Sequence, residues 1–257
     1  MCLTDIKEIH NYLQGLGRYS ALLERYIKNP KDRSIWFEMV FAYWLEDAGI
    51  TPSYEQRVNT ENDKTVDFVA SMEGWNYQME LVRIEHSDEI MKDLEAQKAG
   101  DDFLPIIGLL LSSDHENEYF QTAAQLIRLQ EKALEKVDKF GEPSENTLAL
   151  IVVDCSNIHS GMLDSDDVRM TAYGKPKQRE FQEYFRGLRL KGLFEEDYKV
   201  RQAESLRRKI CAVVFVTELK PEALQESFVA INPARDVAAM IKKLPIFGDI
   251  ENVQSAL

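Results

Sequence analysis

Apolar residues recur at intervals of three and four as Ile6, Ile9, Leu13, Leu16, Leu22, Leu23 and Ile27, which predicts one or two amphipathic helices over 5–28. The polar break Asn29-Pro30-Lys31-Asp32 follows, and Asp32 or Ser34 is placed to cap the next helix. Over 35–45 that helix holds ten uncharged residues and one charge, Glu38, before Gly49 ends it. The pattern then takes on strand composition, predicting strands at about 50–58, 64–72 and 75–84, with a tight turn at Glu73-Gly74. Residues 86–118 read as irregular and acidic, broken by an apolar run at 104–111 that periodicity alone does not assign to helix or strand.

A long helix is predicted over 119–140. It sets Leu126, Leu129, Ala133, Val137 and Phe140 on one side and Arg128, Lys132, Lys136 and Lys139 on another, and Gly141 and Pro143 stop it. Residues 147–155 are nearly continuously apolar, the mark of a strand covered on both faces and, after a helical crossover, parallel to a neighbour. A second such strand is expected at 209–218. Between them 164–174 reads as a loop and 178–208 as a charged region with helical potential, while 228–236 reads as a short strand followed by a helix ending near Lys243. The fold class is therefore α/β, a central mixed sheet flanked by helices, organised as an N-terminal helical extension over 1–30 and a single domain over 31–257.

The composition, 44% apolar and 29% charged over 257 residues, is that of a globular chain with a sizeable core. No run of about eighteen apolar residues occurs and the N-terminus lacks a basic-then-apolar order, so a cytoplasmic protein without a membrane span is expected. Cys2, Cys155 and Cys211 have no metal-ligand spacing and read as reduced thiols. His86 and His159 follow strands without a partnering motif, so neither is assigned a site role. The net charge of −13 disfavours a large sequence-independent grip on nucleic acid, although Lys199 and four further basic residues up to Lys209 leave room for a local basic face.

The candidate chemistry lies in three acids inside apolar segments: Glu38 on the helix, Asp67 in Val66-Asp67-Phe68 and Glu80 in Met79-Glu80-Leu81. Burying an ionised carboxylate costs roughly several kcal/mol unless it is paired. A hairpin turning at Glu73-Gly74 brings Asp67 and Glu80 to the same end, where Mg²⁺, which takes one or two protein carboxylates, would reconcile the acids. The bland alternatives are a Glu38 that is a helix-surface acid or is paired with a buried arginine such as Arg57, and solvated edge positions on the hairpin for the other two. Arg83 reads as half of a surface ion pair, and Asp154 as a solvated strand end near the site.

A helix carrying Glu38, then Val66-Asp67-Phe68 on one strand and Glu80 on the next, resembles the PD-(D/E)XK, or restriction-endonuclease-like, nucleases. The resemblance implies a restriction-endonuclease-like core in which Asp67 and Glu80 hold Mg²⁺ or Mn²⁺ and Glu38 assists from the helix. The motif lysine is absent, because Glu80-Leu81-Val82 stands where the family has an acid, any residue and Lys. Arg83 points to the opposite face of its strand from Glu80. Some nucleases of this fold carry the basic residue on the following helix, which makes Lys132 and Lys136 candidates, with Gln130 as a polar helper.

Two functions fit these residues, beside a purely structural α/β protein in which all three acids would be paired with Arg or Lys. One is a Mg²⁺-dependent nuclease acting on DNA or RNA; the other is a catalytically inactive relative that serves as a binding or regulatory module in a bacterial defence or toxin system, with a protein partner. A basic side chain within reach of the carboxylates and a locally positive cleft would favour the first.

Overall fold

The computed structural model describes residues 5–84, 115–156, 163–174, 191–198, 201–219, 227–248 and 250–253. Cys2, His86, His159 and the apolar run at 104–111 lie outside these residues. Seven strands form one mixed sheet in chain order: β1 (Ser53–Gln56), β2 (Val66–Met72), β3 (Trp75–Arg83), β4 (Thr147–Asp154), β5 (Ala212–Val216), β6 (Phe228–Ile231) and β7 (Glu251–Val253). The first three are an antiparallel meander, β3, β4 and β5 run parallel, β6 reverses, and β7 lies parallel to β6. Glu73 (φ 49°) and Gly74 (φ 81°) close the β2–β3 hairpin, both left-handed as a two-residue type I′ turn requires.

The helices form a layer on each face. On one face lie α1 (Ile6–Leu16), α2 (Ser20–Lys28) and α3 (Arg33–Asp47). On the other lie α4 (His115–Lys136), α5 (Ser165–Tyr173) and α6 (Arg201–Lys209). The alternation along β4 shows why both faces are dry. Leu148, Leu150 and Val152 join the core on the α3 side, and Ala149, Ile151 and Val153 the core on the α4 side. Ile9, Leu13 and Leu22 belong to the same apolar cluster as α3, so the N-terminal helices share the core of the sheet. A short helix α7 (Ala238–Ile241) and a 3₁₀ turn at Pro245–Phe247 lead into β7.

Helix α3 is buried nearly all round: Ile35 and every residue from Phe37 to Leu45 lie in the interior, Glu38 among them. Asp32 caps it, accepting from the backbone N–H groups of Ser34 and Ile35. Its C-terminus is a Schellman motif, with the Ile50 N–H bonded to the Leu45 carbonyl, the Gly49 N–H to that of Glu46, and Gly49 at φ 76°.

Two expectations are corrected. The segment expected as a loop around 164–174 is helix α5, started by a capping box in which Asp164 and Asp167 satisfy each other's backbone N–H groups. Its acids are capping residues, and Val168, Met170 and Ala172 are buried beneath them. Strand β7 was not foreseen; three residues, Glu-Asn-Val, carry no period long enough to read.

Candidate functional site

Phe68 pairs with Met79, and one step further along that register sets Asp67 opposite Glu80 on the sheet face turned towards α4. Asp67 is half-buried, and its Oδ2 accepts the Leu81 N–H at 2.7 Å. Glu80 has no exposed surface. The ammonium groups of Lys136 and Lys139 stand 3.1 and 2.6 Å from Glu80 Oε1, close enough for ion pairing, yet neither Glu80 oxygen has an aligned hydrogen bond. Burial first, then the negative charges of Glu80 and Glu38, push the Asp67 carboxyl from its ordinary 3.8 up to about 8, against the opposing pull of Lys139 and the Leu81 N–H. The protonated form of Asp67 is thereby favoured.

Lys136 ends α4 and Lys139 ends the 3₁₀ turn Val137–Lys139 that continues it. With three residues per turn, positions i and i+3 eclipse, so Lys139 is stacked over Lys136 towards Glu80. Buried Val137 and Phe140 hold this turn against the sheet. Lys139 was seen in sequence only as part of a basic stripe; its distinguishing signal is its position one residue before the apolar anchor Phe140. Lys132 lines the same cleft but pairs with Glu135 at 2.8 Å, away from the carboxylates. Gln130 is not a helper to the site. It is buried and donates to the carbonyls of Thr171 and Lys191, tying α4 to α5.

Glu38 is held by Arg25 of α2 in a bidentate pair, Nη1 to Oε2 at 2.7 Å and Nη2 to Oε1 at 2.9 Å, and Tyr54 donates its hydroxyl to Oε2 at 2.5 Å. Both Glu38 oxygens are thus engaged, which makes it a fixed charge behind Asp67 rather than a third ligand beside it. The arginine is Arg25 and not Arg57, which pairs with Asp63. Among the described residues no group of three or more Asp, Glu, His or Cys side chains is arranged to hold a metal ion.

Arg83 and Asp154, expected at the surface, form a buried ion pair at 2.7 Å where β3 and β4 end side by side. Asp154 is 1% exposed and also accepts the Ser156 N–H. Glu38, Asp67, Glu80 and Arg83 line one cleft of about 690 Å³ at this end of the sheet, between α3 and α4. Its lining carries six Arg and Lys against five acids, a positive balance in a chain whose net charge is −13. Among the described residues no helix is long and apolar enough to cross a membrane. Compared with protein-family models, curated proteins and solved structures, the chain matches none.

Proposed function

We propose that this cleft is the site of a divalent-metal-dependent phosphodiesterase that hydrolyses nucleic acid on a restriction-endonuclease-like core. The observation that carries the reading is the pair of ammonium groups, Lys136 and Lys139, at 3.1 and 2.6 Å from Glu80. The family's basic residue is missing from the strand, where Val82 stands, and the helix after the hairpin supplies it. The order of elements agrees: a helix bearing Glu38, three antiparallel strands, a helix, and a strand parallel to the third.

Two carboxylates suit Mg²⁺ or Mn²⁺, which draw their other ligands from water and phosphate. The buried Glu80 oxygens, without a hydrogen bond, fit a cation as donors. A bound ion would set positive charge against a phosphate and acidify water beside it. The chain's own groups do the rest. Asp67 binds the ion once its proton has gone to solvent, Lys136 and Lys139 offset negative charge on a phosphate, and Glu38, clamped by Arg25 and Tyr54, is a fixed negative charge that holds the proton on Asp67 until a cation displaces it.

The inactive, regulatory reading is favoured by one feature: the lysines already balance Glu80 without a cation. Incubation with Mg²⁺ or Mn²⁺ and single- or double-stranded DNA or RNA separates the two. Cleavage that falls on the order of a hundredfold or more in Asp67→Asn and Glu80→Gln is expected. Binding without cleavage would favour the regulatory module.

A further inference from the structure

We propose that the substrate laid into this site is a single strand of nucleic acid running along α4, with successive phosphates against Arg128, Lys132 and Lys136; as a statement about substrate this rests on the phosphodiesterase reading. The three cations are four residues apart, so they recur about every 6 Å along the helix, and all line the cleft. Each is half-buried. The pair between Lys132 and Glu135 is a surface one, with side chains 44% and 56% exposed, and such pairs hold weakly, so a phosphate can take over Lys132.

The other wall is different. Glu38, Glu55 and Arg25 line it; Arg25 is taken up by Glu38 in a bidentate pair and stands 3.7 Å from Glu55, whose side chain is 45% exposed, so this wall offers a phosphate no unpaired cation and carries one more acid than base. A duplex carries phosphates on both sides, and its second strand would meet a wall with no unpaired cation and a molecule of net charge −13. The cleft volume of about 690 Å³ is that of a small-ligand pocket, enough for a short stretch of one strand. A wall with a row of cations facing one whose single arginine is already paired selects a single backbone.

The test is fluorescence anisotropy in EDTA over a salt series, with labelled oligothymidine and oligouridine of about a dozen residues and the corresponding duplexes. A single strand is expected to bind at least about tenfold tighter than its duplex. The logarithm of its affinity should fall against the logarithm of salt with a slope near −2, the value for three phosphates at about 0.7 each. Arg128→Ala and Lys132→Ala should each flatten that slope by about 0.7, with unchanged melting. Lys243→Ala, which removes the partner of Glu73 at the β2–β3 turn, should leave it alone. Duplex bound as tightly as single strand, a slope unmoved by both cleft variants, or no single-strand binding by the wild type would each overturn the proposal. Because EDTA excludes the ion, the parent reading is scored separately. Single-strand binding with no metal-dependent cleavage fails the phosphodiesterase reading and leaves a strand-binding cleft, whereas duplex cut at least as fast as single strand keeps that reading and overturns this one.

Discussion

Glu80 is a carboxylate with no exposed surface, beside two lysines whose side chains are 30% and 23% exposed. Removing the nearer cation should cost more than removing the acid, because a buried charge without its partner is the worse state. Lys139→Met is expected to lower stability by about 1–3 kcal/mol, and Glu80→Gln to be neutral or stabilising, as urea unfolding would measure. The buried Arg83–Asp154 pair has less access to water, so Arg83→Met, which strands Asp154, should cost about 3–5 kcal/mol. Asp67 gives stability a pH dependence of definite sign. Folded, it keeps its proton up to about pH 8, and unfolded it gives it up near the ordinary 3.8. Between those values the native state binds a proton that the unfolded state does not, so this group's contribution is complete below about pH 4 and drains away as pH rises to 8. The melting temperature of the wild type should therefore fall relative to Asp67→Asn between pH 5 and 8, by roughly several degrees; parallel curves would contradict the assignment.

At the scale of elements, α3 and the β2–β3 hairpin carry the acids, and both depend on local signals. Asp32→Ala removes the cap of α3 and should cost about 1 kcal/mol in thermal unfolding. Gly192 meets the backbone of Tyr173 and Gly174 so closely that an added Cβ would lie 2.4 Å from it. Gly192→Ala should therefore loosen the 191–198 segment from α5, seen as faster amide exchange at Leu193 and Phe194, which donate to Thr171 and Ala172. Where periodicity was strong, these elements were legible in sequence. The continuous apolar run of β4 announced a strand covered on both faces, and the type I′ turn announced the Asp67–Glu80 hairpin. Helix α5 was hidden because its capping acids, Asp164 and Asp167, look like loop residues when the burial of Val168 and Met170 is unknown. The clamp on Glu38 was hidden for another reason. Arg25 belongs to a different helix, across the Asn29-Pro30 break, and only the packing of α2 on α3 brings the two together.

At the scale of the whole molecule, a chain with thirteen more acids than bases gathers a positive lining at one end of its sheet. Net charge does not give this distribution, since sequence alone does not tell which lysines share a cleft. The arrangement couples sheet and helix. The register of β2 on β3 sets the carboxylates, the parallel β4 follows α4, and the 3₁₀ turn at the end of α4 sets the lysines over Glu80. Whether the cleft holds a divalent ion is decided by calorimetric titration of Mn²⁺ and Mg²⁺ into the wild type, Asp67→Asn and Glu80→Gln. Saturable binding of a divalent ion to the wild type, lost in both variants and retained by Lys132→Ala, is expected. No binding by the wild type, or binding unaffected by Glu80→Gln, would contradict it.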